Sequence, residues 1–151
     1  MFRQLDENLE NLYTNWYLHE LGLAWDGHIE KEALLENWHL PAVSNQYEFY
    51  ATEVKKRLAK QGTKRVFVII SDAMRFEVAH ELKTMIGQEK RFETTLVSQL
   101  GVLPNYTQLG MASLLPHSGL SYQPEKESSV YVDGQSSQGL DNRHSILQKV
   151  N

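Results

Sequence analysis

Val66-Phe67-Val68-Ile69-Ile70-Ser71-Asp72-Ala73-Met74-Arg75 is the stretch on which the fold turns. Its first five residues are apolar without interruption, and four of them are β-branched. A half-exposed strand would alternate polar and apolar residues. A continuous run instead suits a strand covered on both faces, as in a parallel sheet. A polar corner follows at Ser71-Asp72, and then a helical pattern from Met74 to Ile86 that Gly87 closes. Further on, Phe92 to Val97 reads as a strand, a helix begins after Pro104, Val130 to Val132 reads as a short strand, and Gly139 to Val150 reads as a closing helix. This alternation predicts an α/β fold with right-handed crossovers. The Ser-, Gly- and Gln-rich stretches 117–129 and 134–139 read as loops.

Ahead of the strand the sequence reads as helix. Leu5, Leu9, Leu12, Tyr13 and Trp16 recur at helical spacing, and Gly22 with Asp26-Gly27 predicts a break. A second helix is expected over 29–38, before Pro41. Tyr47, Tyr50, Ala51, Val54 and Leu58 set out a third, with Ser44 as its cap and Gly62 as its stop. The expected organisation is a helical region over 1–62 followed by an α/β domain over 63–151. There is no internal repeat.

Composition narrows the function. A length of 151 residues with 41% apolar residues suits one soluble globular domain. The absence of cysteine excludes a disulfide scaffold, a thiol nucleophile and a Cys-ligated metal, so any metal must be held by oxygen and nitrogen. No apolar run is long enough to cross a bilayer, and the acidic start MFRQLDENLE has no apolar signal core, so a cytoplasmic location is expected. Residues 1–60 carry ten acids and six bases, and the remainder carries nine of each. That balance argues against nucleic-acid binding driven by overall charge. The one basic cluster, Lys55 to Lys60, falls at a helix end, where cations favour the dipole.

Two positions carry chemistry. Asp72 sits at the carboxyl end of the expected strand, where ligands gather in open α/β sheets. It can hold a cation there, or cap the following helix. Thr107, in Leu103-Pro104-Asn105-Tyr106-Thr107, falls at a helix start. Its hydroxyl can cap that helix, or act as a nucleophile if a divalent metal lowers its pKa. Other groupings read more simply as surface. Glu77 and His80 share a helix face but lack the partners of a di-metal bundle, and His28 with Glu32 lacks a third ligand. His117 and His144 lie near loops, and Asp133-Gly134 reads as a turn.

Together, VFVIISDAMRFEVAHEL (66–82) and LPNYTQLGMASLLP (103–116) resemble the PglZ domain, a branch of the alkaline phosphatase superfamily. The resemblance is closest to the type A PglZ proteins of BREX phage-defence systems, and it extends to SVYVDGQSSQGLDNRHSIL (129–147). It implies an alkaline-phosphatase-like sheet with flanking helices, preceded by a helical region. It also implies a metal-dependent phosphatase or phosphodiesterase using two ions, usually zinc. Asp72 would be a metal ligand, and Thr107 both a ligand and the nucleophile. Arg75 could steer phosphate or sit in a surface ion pair. Asn105 departs from the threonine expected two positions before the nucleophile, which favours Thr107. The implied partners are a phosphoester substrate, including nucleic acid or nucleotide, and other defence-system proteins, with no membrane.

Family members also carry an Asp-His pair among their later metal ligands, and no Asp-His dipeptide occurs here. The resemblance therefore implies an incomplete sheet and an incomplete site, as in the front part of a larger protein, with weak metal binding and little or no catalysis by this chain alone. The alternative is a non-catalytic interaction module, in which the acidic helical half docks a partner.

Overall fold

The computed structural model describes residues 2–123 and 129–150. The chain falls into two compact units, Met1–His39 and Leu40–Asn151.

The first unit is helical. Helix α1 (Phe2–Leu12) passes through a wider, π-type turn at Tyr13–Tyr17 into α2 (Leu18–Lys31). The break expected at Gly22 and Asp26-Gly27 does not occur, because both glycines lie inside α2. Glycine in a helix costs only about 1 kcal/mol relative to alanine, and neither position holds a proline, which would remove a donor and clash. The helix expected over 29–38 is instead the end of α2 followed by turns, in which Leu34 is buried.

The second unit begins with a two-residue parallel ladder between β1 (Ser44–Asn45) and β2 (Gln99–Leu100). Ser44 therefore lies in a strand and caps no helix. Asn45 takes the cap position, and its backbone N–H donates to Glu48 Oε2 at 3.1 Å. A tight turn at Gln46–Glu48, a wider turn at Tyr50–Lys55 and the short α3 (Lys56–Leu58) complete this helical stretch. Helix α4 (Phe76–Gln88) runs through Gly87 and does not stop at it. Helices α5 (Thr107–Ser113) and α6 (Gly139–Gln148) fall where the apolar pattern placed them.

The central strand expectation is corrected. Val66–Ile70 is extended, but among the described residues it joins no ladder. Phe67 is 83% exposed and Ile69 93%. A strand is held by ladder hydrogen bonds to a neighbour, and among the described residues no segment pairs with this run. The strand expected over Phe92–Val97 is likewise absent among the described residues.

The main described sheet is antiparallel, in the order β3 (Leu120–Gln123), β4 (Ser129–Val132), β5 (Gln135–Ser136). Two of its strands occupy stretches expected to be loops. The β4–β5 turn is Asp133-Gly134, with φ of 47° and 81°. Positive φ at both central residues matches the right-handed twist of a two-residue hairpin. Asp133 also pins the entry to β3, its carboxylate accepting the N–H groups of Ser118 at 3.0 Å and Gly119 at 2.8 Å. Helix α5 packs on β4, and α6 adds Ile146, so that Ala112, Leu115, Val130, Val132 and Ile146 form the core. The chain is thus a mixed helix-and-sheet fold.

Candidate active site

Asp72 and Thr107 are 35 positions apart and reach each other: Thr107 Oγ1 donates to Asp72 Oδ2 at 3.3 Å. Two local features aim them. Immediately after Asp72 the chain turns through Ala73 at φ 56°, a left-handed conformation that non-glycine residues seldom adopt. At that corner Asp72 Oδ1 accepts the Ala73 N–H at 3.1 Å, which leaves Oδ2 for Thr107. Tyr106, with extended φ and ψ, holds the cap position of α5, and Thr107 is the first helical residue. Neither residue is the helix cap that the simpler expectation gave it: Arg75 stands at the cap of α4, and Tyr106 at that of α5.

The pair lines a cleft of 470 Å³ with Ser71, Met74, Gln99, Asn105, Gly110 and Gln46 among its walls. Its described lining includes no Lys, Arg or His, so the Asp72 carboxylate meets no positive charge there. A phosphoester entering this cleft would find the neutral amides of Gln99 and Asn105, the Thr107 oxygen, and one anion.

The remaining candidates lie elsewhere. Arg75 is exposed and pairs with Glu77 at 3.9 Å. His80 lies on α4 with its ring 6.4 Å from that of Phe76. His117 shares its Nδ1 with the Leu115 carbonyl at 2.7 Å, and His144 is exposed on α6. His28 lies in the last turn of α2, and Glu32 follows that helix. Within the basic cluster Arg57 is paired with Glu53, one turn back. Gln46 was not singled out from the sequence, although it lines the cleft. No local pattern marks it, because its partners are backbone groups 56 and 64 residues away.

The donor set is a test of the metal expectation. A divalent ion takes four or more ligands. Asp72 and Thr107 are two ligand side chains with three oxygens between them, one of which already accepts the Ala73 N–H, and no group of three or more His, Asp or Glu side chains forms a metal site among the described residues. The residues present do not by themselves fit a resident ion.

Residues 49–151 match the BREX system PglZ alkaline phosphatase-like domain. The chain belongs to the PglZ family. Over 148 residues the PglZ chain is 51% identical to the alkaline phosphatase-like protein BrxZ of Escherichia coli O9:H4 (strain HS). It is 41% identical over 148 residues to the alkaline phosphatase-like protein PglZ of Bacillus cereus (strain H3081.97). Each match covers 98% of this chain and 17% of the relative. No solved structure matches. No helix among the described residues is long and apolar enough to cross a membrane.

Proposed function

We propose that this PglZ chain carries the nucleophile-bearing part of a phosphatase or phosphodiesterase of a BREX-type phage-defence system, acting in the cytoplasm. The observation that supports it is the hydrogen bond from Thr107 to Asp72 across 35 residues of sequence. A hydroxyl whose proton points at a carboxylate keeps its lone pairs free on the cleft side. Thr107 Oγ1 passes its proton to Asp72 as it attacks phosphorus there, the ester oxygen leaves and takes a proton from solvent, and water then cleaves the phosphothreonine, releasing phosphate from a monoester or a phosphomonoester from a diester. Positioning is the larger part of such a reaction, because the protein has little covalent chemistry to supply. The two zinc ions expected from the family resemblance enter this proposal only with further donors beyond Asp72 and Thr107. The substrates are phosphoesters, nucleic acid and nucleotides included, and the partners are other defence-system proteins.

The second reading, a non-catalytic interaction module, draws on the exposed apolar face of α1, where Leu5, Leu9 and Leu12 are all exposed, as is Trp16 beyond it. The two are separated by replacing the matching 148-residue segment of the E. coli relative with this chain and assaying a chromogenic phosphodiester and phosphomonoester, with and without zinc. Hydrolysis should fall to background in Thr107→Ala, and sharply in Asp72→Ala. Hydrolysis indifferent to both substitutions contradicts the assignment. A graft with no hydrolysis, beside an active parent, favours the interaction module.

A further inference from the structure

Gln46 occupies a junction of three segments. It immediately follows β1, whose ladder with β2 ends at the pair Asn45 and Leu100. Beyond that pair the Gln46 side chain reaches the chain that follows β2: the Val102 N–H donates to its Oε1 at 3.3 Å. On its other side, Nε2 donates to the Gly110 carbonyl of α5 at 3.1 Å. Gly110 is three residues after Thr107, on the same face of α5, and its own N–H donates to the Tyr106 carbonyl at 3.0 Å. Gly101 and Gly110 present no side chain toward Gln46. A Cβ built on either would lie at ordinary contact, 3.8 Å from Oε1 and 3.5 Å from Nε2.

Both halves of the carboxamide are therefore engaged by main chain, although Gln46 lines the same cleft as Asp72 and Thr107. An amide so committed makes a brace better than it makes a substrate contact. We propose that Gln46 is a positioning residue: it ties the first turn of α5, and with it Thr107, to the end of the β1–β2 ladder. The inference rests on Thr107 as the attacking hydroxyl. Ser113, whose Oγ also donates to the Gly110 carbonyl, at 2.7 Å, serves as a contrast because its bond stays within α5.

A displacement of about 1 Å at a reacting group can cost about 10²-fold in rate. In the graft described above, Gln46→Met keeps the length and loses both bonds, so kcat should fall by about 10²-fold with KM within about twofold of the parent. Gln46→Glu keeps an acceptor for Val102 but sets an oxygen against the Gly110 carbonyl, and kcat should fall in it as well. Ser113→Ala should leave kcat unchanged. On the unsubstituted chain, amide exchange offers a check independent of activity: the Val102 N–H should be protected although β2 ends at Leu100. Hydrolysis lost in Thr107→Ala but intact in Gln46→Met overturns the brace alone. Hydrolysis that survives Thr107→Ala overturns the nucleophile assignment, and the brace with it. A Val102 amide exchanging at the rate of an exposed one overturns the brace whatever the variants do.

Discussion

Helix α6 is anchored to the second unit by one fully covered side chain. Ile146 is its single buried residue among those described, while Leu140 is 82% exposed and Leu147 is also exposed. Its polar ties run from Arg143 Nε to the Ser137 carbonyl at 3.0 Å, from Asn142 Nδ2 to the Gln138 carbonyl at 2.7 Å and from Gln135 Nε2 to the Asn142 carbonyl at 3.4 Å. Ile146→Ala deletes three carbons from contact with Val130, Val132, Ala112 and Leu115. At about 0.8 kcal/mol per methylene the transfer loss is about 2.4 kcal/mol, and the cavity left behind raises it to about 3–4 kcal/mol. Against a typical domain stability of about 5–15 kcal/mol that is a large share, and the core here is small. Urea titration followed by circular dichroism should show the loss, and thermal melting should shift down by about 10–20 °C. Leu140→Ala, on the same helix, should change stability by no more than about 0.5 kcal/mol. An Ile146→Ala loss below about 1 kcal/mol, or equal losses for the two variants, would refute the assignment of the core.

Three further outcomes are expected. The Asp133 carboxyl is held below its usual range by the Ser118 N–H, then the Gly119 N–H, with His117 and Lys149 adding smaller attractions. A depressed folded pKa means that its stabilisation is present above the ordinary carboxylate value of 3.8 and is lost as pH falls through the folded value, so Asp133→Asn should lower the melting temperature at neutral pH and progressively less in acid, flattening the acid limb of a melting curve against pH. Glu48→Ala removes the acceptor of the Asn45 N–H and should cost about 1 kcal/mol in urea titration; a change within error would show the cap to be idle. If the chain by itself bound zinc at micromolar Kd, zinc at a hundredfold excess over Kd would add about 2.7 kcal/mol of stability, whereas two donors predict a melting shift of less than about 1 °C.

Helices α4, α5 and α6 and strand β4 were legible because their apolar spacing is a local signal, although Gly87 did not mark the end of α4. Asp72 and Thr107 stood out as candidates from residue type and place in the chain, yet only folding could bring them to 3.3 Å. Strands β3 and β5 were not legible. Leu120-Ser121-Tyr122-Gln123 alternates over only four residues and Gln135-Ser136 is two polar residues, so what holds them is backbone pairing to β4 and the Asp133 clamp. Val66–Ile70 was misjudged for the converse reason. A β-branched apolar run states a preference for extended backbone, and the ladder itself depends on a neighbour that composition does not reveal. Gln46 shows the limit of pattern reading most clearly, since a glutamine at the start of a tight turn looks like any surface residue until Val102 and Gly110 are placed against it.

The central claim is that Thr107 takes the phosphoryl group. Its most direct test is acid quench of the grafted protein during turnover of a phosphoester, followed by peptide mass spectrometry. Phosphate should be found on the peptide containing Thr107, and should vanish in Thr107→Ala. Steady turnover with no phosphate on that peptide, or with phosphate on another residue, would contradict it.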